Sequence, residues 1–286
     1  NMIVAISGAS GFLGRSLVQK LRQRDWEIRN IVRSDTEEPS GDSLYQKIKD
    51  CDVVINLAGA PISRKWTAAY KEEIMQSRVG TTRKIVEAVN RKENKIKVFI
   101  SASAIGIYDS NGEHTEASEQ FAGSYLAKVC QEWEQAAMKA TGVNRRVILR
   151  IGVVLGKNGG ALAKLEGHFR MGLGGKLGSG DQPFSFIHIH DLLEAILFCI
   201  DHDEIDGIVN AVAPHSSYNW EFTEKLGKTF GQPAFFTVPA FALKLVLGEG
   251  AQVLLEGQKV LPDKLLKSGF SFRFPTIQST LKDIFS

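Results

Sequence analysis

The segment Gly8-Ala9-Ser10-Gly11-Phe12-Leu13-Gly14 follows directly on the apolar run Ile3-Val4-Ala5-Ile6. A strand that ends in Gly-x-x-Gly-x-x-Gly can turn sharply and bring its backbone N–H groups against a pyrophosphate. The helix that follows then offers the anion its positive end. Leu13, Leu17 and Leu21 recur at helical spacing, so a helix does follow and packs on a sheet. With a strand before it and a helix after it, the glycine triplet reads as a dinucleotide turn and not merely as a tight bend. Gly8, Ser10, Gly11, Phe12, Leu13 and Gly14 are therefore expected to hold the cofactor.

Further along, Ile28 to Val32, Val53 to Ala58, Val98 to Ser101 and Val147 to Ile151 read as buried parallel strands. Between them, Met75, Val79, Thr82, Val86 and Val89 mark one long helix, and Val129, Trp133, Ala136 and Ala140 mark another. This alternation predicts an α/β fold with a doubly wound parallel (Rossmann) sheet. Between Arg33 and Asp50 there is room for a loop and a short helix but hardly for a third strand. Beyond Gly152 glycines crowd the chain, from Gly159 to Gly180, which predicts a loop-rich lid over a pocket. A strand from Phe184 to Ile189, a helix from Asp191 to Ile200 and a strand from Ile208 to Val212 follow. Residues 1–155 are expected to form the dinucleotide-binding domain, with strands from 184–191 and 208–213 returning to it or its edge. Residues 156–286 form the lid and a smaller C-terminal substrate lobe.

The 286 residues carry 35 Lys and Arg against 32 Asp and Glu, interspersed, for a net charge of +3. No basic run suggests nucleic acid, and no apolar stretch reaches the length of a membrane span. The N-terminus begins directly with a strand, and Asn1 ahead of Met2 reads as a remnant of cloning. Cys51, Cys130 and Cys199 are isolated, which fits a reducing, cytoplasmic setting and argues against disulfides or zinc.

The end of the second strand sets the choice of cofactor. NAD sites usually place Asp or Glu there for the ribose 2′-hydroxyl, whereas this chain has Arg33 and Ser34, with no acid until Asp35. A guanidinium pairs well with a 2′-phosphate, so NADP(H) is the expected cofactor. Small residues in Asn56-Leu57-Ala58-Gly59 let the strand end approach the ribose and pyrophosphate, which places Leu57, Ala58 and Gly59 in the site.

The glycine turn, Asn56-Leu57-Ala58-Gly59, Ser101-Ala102-Ser103, Leu149-Arg150-Ile151-Gly152 and Phe186-Ile187-His188-Ile189-His190-Asp191 together resemble the extended short-chain dehydrogenase/reductase superfamily, of the nucleotide-sugar epimerase and dehydratase type. A narrower resemblance rests on Ala58-Gly59-Ala60-Pro61-Ile62, Gln76-Ser77-Arg78, the run Gly172 to Gly180, and Leu255 to Pro262. These are similar to an atypical "epimerase family protein" group that carries a C-terminal domain of unknown function.

The resemblance implies a tyrosine as acid/base, a lysine four residues later, and a serine for the substrate oxygen. Ser103 matches the serine, Ser101 lies beside the cofactor, and Tyr125 stands at the tyrosine position. Position 129 is Val, however, and the nearest lysine is Lys128. In the narrower group the tyrosine position is often Phe. Tyr108 is the alternative proton donor. His188 and Gln182 are the candidate substrate contacts, with a local hydrogen bond as the other reading of His188, and Asp191 is expected to cap a helix. No histidine pattern is read as a metal site.

The expected function is hydride transfer between NADP(H) and a small hydroxy or keto compound, sugar-type among the options, by a monomer or homodimer. If the protein dimerises, the helices around Met75–Val89 and Val129–Ala140 would form the interface. The alternative is a non-catalytic NADP-sensing regulator that kept the fold and lost the tyrosine–lysine pair.

Overall fold

The computed structural model describes all residues, Asn1–Ser286. Six strands form one sheet: β1 (Ile3–Ser7), β2 (Glu27–Ile31), β3 (Val53–Asn56), β4 (Val98–Ala104), β5 (Arg145–Ile151) and β6 (Gly207–Ala211). Their order is β2-β1-β3-β4-β5-β6, and every pairing is parallel. Successive side chains on each strand serve opposite faces. Val4, Ile6, Val53, Ile55, Val98 and Ile100 feed one core, while Ala5, Val54, Phe99 and Ile148 feed the other. Helices cover both faces, which is why these strands read as continuous apolar runs rather than as alternation.

Five helices cover those faces: α1 (Phe12–Arg22), α2 (Asp42–Ile48), α3 (Thr81–Val89), α4 (Tyr125–Met138) and α5 (Ile189–Asp201). Helices α1 and α5 pack on the first face through Leu17, Leu21, Leu192 and Ile196. Helices α2, α3 and α4 pack on the second through Ile48, Ile85, Val89 and Ala137. Leu17 is fully buried, so truncating it to Ala would cost about 2–5 kcal/mol. The chain runs outward from β1 to β2 and returns on the other side at β3. The carboxyl ends of β1 and β3 are thus the topological switch point where open α/β sheets bind ligands.

Three features depart from the sequence pattern. The helix leading into α3 starts at Ala68, and Gln76–Gly80 within it is a π turn. The glycine-rich segment is not wholly loop. Leu162, Leu165 and Phe169 recur on one face and pack in a separate core, which fixes the helix Gly160–Arg170. The strand Phe186–His188 pairs with Val153–Leu155 and not with the main sheet. The chain swings away at Gly152, where an added Cβ would lie 2.8 Å from Val212 and 2.9 Å from the Ser185 carbonyl.

Residues beyond 156 do not form a detached body. Leu265 and Phe270 lie in the same core as β1 and α1. The helix Ala240–Leu247, opened by Pro239, buries none of its residues. No helix is long and apolar enough to cross a membrane. The three cysteines are free and buried, and burial pushes the thiols of Cys130 and Cys199 up to about 12.

Candidate functional site

The glycine turn lies at the switch point, and each of its three glycines meets a different constraint. Gly8 has φ +76°, and an added Cβ would lie 2.7 Å from the Leu57 carbonyl carbon, so the turn packs directly on the end of β3. At Gly14 a Cβ would come 2.0 Å from the Gly8 carbonyl oxygen, so this glycine lets α1 close on β1. At Gly11 the only neighbour within reach is the Gly8 oxygen at 3.5 Å, and the rest of that side is open. Gly11 is the N-cap of α1, makes no side-chain cap, and no acid occupies the first turn. The N–H groups of the first turn, Phe12 and Leu13 among them, are therefore left without a side-chain cap and could receive an anion. Ser10 is exposed beside them, Leu13 packs its side chain on the core, and the Phe12 ring is roofed by Gly156 and Gly159.

Beneath Leu57 a buried hydrogen-bond chain stiffens the floor. Ser7 Oγ donates to Asn56 Oδ1 at 2.5 Å, and Asn56 Nδ2 donates to Thr82 Oγ1 at 2.8 Å and to Ser101 Oγ at 3.3 Å. Ser101 is fully buried, and its hydroxyl supports the floor through Asn56. Leu57, Ala58 and Gly59 lead on from that floor, and the Leu57 N–H is held by the Ser7 carbonyl at 3.1 Å.

At the end of β2, Arg33 and Ser34 are exposed, and Arg33 pairs with Glu37 at 2.6 Å. Asp35 cannot replace the missing ribose carboxylate. Its side chain is turned inward, accepting from the Val32 N–H at 2.8 Å and pairing with Lys47. Burial opposes its charge, but the Lys47 and Val32 contacts prevail and hold the carboxyl below its usual range.

The expected catalytic residues do not assemble. Ser103 is buried and donates its hydroxyl to Glu134 Oε1 at 2.6 Å. Glu134 in turn holds Arg150 through two bonds of 2.8 Å. Arg150 donates to the Tyr108 hydroxyl at 2.9 Å, and that hydroxyl donates to Asn210 Oδ1 at 2.7 Å. Burial alone would weaken the Arg150 charge, but Glu134 outweighs it and raises the guanidinium above its ordinary value. Tyr108 is fully buried, and burial pushes its hydroxyl up. Ser103 and Tyr108 thus belong to a closed polar network and present no free hydroxyl to a substrate.

Tyr125, at the first turn of α4, donates its hydroxyl to the Lys71 carbonyl at 2.6 Å, with Trp66 against its edge. Lys128 is exposed, whereas Val129 is fully buried against Trp66, Tyr70 and Ile74. The apolar stripe that packs α4 turns Val129 inward and leaves Lys128 outside, so no tyrosine–lysine pair forms.

The two substrate candidates, Gln182 and His188, both make hydrogen bonds within the chain. Gln182 Nε2 donates to the carbonyls of Leu177 at 3.1 Å and Leu254 at 2.9 Å, which ties the glycine-rich segment to the C-terminal part. His188 accepts the His190 N–H on Nδ1 at 2.9 Å, bonds Asp283 at 2.8 Å and stacks on Phe274. Burial pushes its pKa below the usual value against the pull of Asp283. His188 is itself the cap of α5. Asp191, expected in that role, accepts the N–H groups of Arg273 and Phe274 at 2.9 Å each. No group of three or more His, Cys, Asp or Glu is arranged to hold a metal ion.

The residue that sequence reasoning passed over is Arg78. In the sequence it stands within Gln76-Ser77-Arg78, with Val79 and Thr82 marking the inward side of its helix. Its guanidinium carbon lies 5.4 Å from the Trp133 ring and would be 2.9 Å from a Cβ on Gly59.

The family model described as "NAD dependent epimerase/dehydratase family" matches residues 4–213, and "Domain of unknown function (DUF1731)" matches 238–284. The "Epimerase family protein SDR39U1 homolog, chloroplastic" of Arabidopsis thaliana is 40% identical over 300 residues, covering 99% of this chain and 86% of its own. The crystal structure of human epimerase family protein SDR39U1 (isoform2) with NADPH superposes with a TM-score of 0.91 at 33% identity, covering 99% of both chains. UDP-glucuronic acid 4-epimerase from Bacillus cereus, in complex with UDP-glucuronic acid and NAD, shares the fold alone, with a TM-score of 0.78 at 17% identity over 99% of this chain and 98% of that one. By sequence along most of its length and by the architecture of its switch point, the chain belongs to the NAD-dependent epimerase/dehydratase family.

Proposed function

We propose that this protein binds NADP(H) across the switch point and passes hydride between it and a small hydroxy or keto compound, without the tyrosine–lysine relay of its superfamily. The observation that carries the reading is the uncapped N-terminus of α1 beside the open side of Gly11. The residues present fit a dinucleotide. Phe12 and Leu13 would give their N–H groups to the pyrophosphate, and Leu57 to Gly59 would lie along the riboses. Arg33 and Ser34 would take the 2′-phosphate. Arg33 would exchange an exposed pair with Glu37 for that phosphate, and exposed pairs are worth little. The human relative crystallised with NADPH supports the choice of cofactor. When bound, NADP(H) supplies or accepts hydride at C4 of its nicotinamide. With Ser103 and Tyr108 closed in their network and Tyr125 held by Lys71, the substrate oxygen would exchange its proton with water.

That same withdrawal of Ser103, Tyr108 and Tyr125 favours a second reading, in which the protein senses NADP(H) and catalyses nothing. One measurement tests the cofactor that both readings share, and a second separates them. Calorimetry with NADPH and NADH tests binding, and equal affinity for the two would refute the NADP(H) preference. Adding a panel of hydroxy and keto metabolites to the NADPH- or NADP-loaded protein tests chemistry. A change in NADPH absorbance with one class supports the enzyme, and none with any class supports the sensor.

A further inference from the structure

The polar groups around the switch point are nearly all paired, and the exceptions are Arg78 and the buried indole N–H of Trp133 beside it. Two other inward-turned arginines make three hydrogen bonds each. Arg145 donates to the carbonyls of Cys199, Ile200 and Ile205, and Arg150 is held by Glu134. Arg78 has five N–H donors, and its one hydrogen bond, to the Ile74 carbonyl, is long at 3.4 Å. No carboxylate is near it. The groups that act on its charge are Cys130 and Tyr70, and burial pushes its pKa down. A cation partly withdrawn from water with no charged partner is unfavourable for the free protein.

Its backbone is nevertheless fixed with care. Arg78 sits in the π turn Gln76–Gly80, a helix irregularity often found at functional sites. The neighbouring Ser77 accepts the Ala60 N–H at 2.9 Å, and Thr82 Oγ1 donates to the Arg78 carbonyl at 2.6 Å. The turn therefore clamps the segment after Gly59 and the buried floor under Leu57 together. The side chain is only partly buried, lying between Gly59 and the face of Trp133. Trp133 shares its core cluster with Leu57, so the guanidinium stands at the end of β3, on the side facing α4. The superfamily's lysine would deliver its ammonium from α4, and here that position is the buried Val129.

We propose that Arg78 is the anion-binding group of the cleft: it receives a phosphate or carboxylate of the ligand held there and supplies from the helix of the π turn the cation that α4 does not. The proposal rests on the reading that a dinucleotide occupies the switch point. Two sources can provide the anion, a phosphate of the dinucleotide or an acidic group on the substrate. A planar guanidinium stacked on Trp133 suits either through paired N–H bonds. In the second case the substrates are acidic hydroxy or keto compounds.

The test uses the full chain with Arg78→Gln, Arg78→Lys and Arg78→Met. NADPH affinity is measured by calorimetry. Binding of inorganic phosphate and of acetate is followed through the arginine Nε–H signals in NMR, with and without NADPH. A fall of tenfold or more in NADPH affinity in Arg78→Gln, partly restored in Arg78→Lys, assigns the anion to the dinucleotide. Unchanged NADPH affinity with loss of phosphate or acetate binding assigns it to the substrate. In either case the ligand-free Arg78→Met protein melts no lower than wild type, because an unpartnered charge has been removed. The proposal is overturned if NADPH affinity and anion binding are the same in all variants, or if Arg78→Met melts several degrees lower, the mark of a merely structural arginine. A wild type that binds no NADPH overturns the dinucleotide reading instead, and anion binding to the ligand-free protein still decides the role of Arg78.

Discussion

Gly11 and Gly14 are three residues apart in one turn, yet the same added methyl should do opposite things at the two positions. In Gly11→Ala the backbone is already extended, with φ −72° and ψ 173°, and the new Cβ makes ordinary contact with one atom at 3.5 Å. Ala is less suited than Gly to an N-cap, so the fold loses up to about 1 kcal/mol. The methyl instead fills space that a pyrophosphate needs to reach the first-turn N–H groups. Losing one hydrogen bond to a charged group costs about 1.5–3 kcal/mol, or roughly 10- to 140-fold in affinity. In Gly14→Ala the methyl meets the Gly8 oxygen at 2.0 Å, with the Gly8 carbon and Ala9 Cα at 2.8 Å. All three are backbone atoms, so no rotamer change relieves the clash and α1 must lift from β1. Overpacking of this kind costs about 1–3 kcal/mol, and at roughly 2–4 °C per kcal/mol the melting temperature falls by about 2–12 °C. Thermal melts and NADPH calorimetry on both variants check the pair. A Gly11→Ala protein that binds NADPH at wild-type strength, or a Gly14→Ala protein that melts as wild type, would refute the division of roles.

Arg33→Ala should weaken NADPH roughly tenfold or more and leave NADH affinity almost unchanged, as read by calorimetry; parallel losses for both cofactors would move the 2′-phosphate elsewhere. Glu134→Ala leaves the Arg150 guanidinium buried without its carboxylate, the two side chains being 5% and 10% exposed in the native pair. Urea denaturation should show a loss of about 3–5 kcal/mol, and a loss below about 1 kcal/mol would contradict the network. Burial depresses the pKa of His188 in the folded chain, so on acidification the unfolded chain takes up that proton first. The stability due to neutral His188 is present above about pH 6.5 and declines as pH falls from there toward the folded-state value. His188→Asn should flatten that part of a pH series of melts, and an unchanged slope would count against it. Tyr125→Phe removes a hydroxyl that serves the Lys71 carbonyl, so any NADP(H)-linked turnover should fall by much less than the ~10²-fold expected on losing a general acid.

Local order carried the glycine turn and the strands, because adjacent residues set both patterns. The strand after Arg33 is absent, as the spacing required. What stayed hidden depended on distant partners. Ser103 looks free in sequence, but Glu134, 31 residues away, takes its hydroxyl. His188 finds Asp283 across 95 residues, which no local pattern could announce. The π turn escaped because one added residue per turn shifts the apolar rhythm only slightly, and Arg78 went with it. Lys128 and Val129 were the reverse case: the helical stripe already placed the valine inward, and packing kept it there.

The shared core of Leu265, Phe270, β1 and α1 bears on how this chain comes apart. A boundary near residue 238, where the second family match begins, would cut through one shared core. A shortened chain ending there would expose the undersides of β1, β5 and α5, together with the His188 imidazole left by Asp283, and should be handled by proteases as a partly unfolded protein. Intact, the chain should melt in one transition, and a dinucleotide bound at the glycine turn should protect amide hydrogens near its far C-terminal end from exchange with solvent.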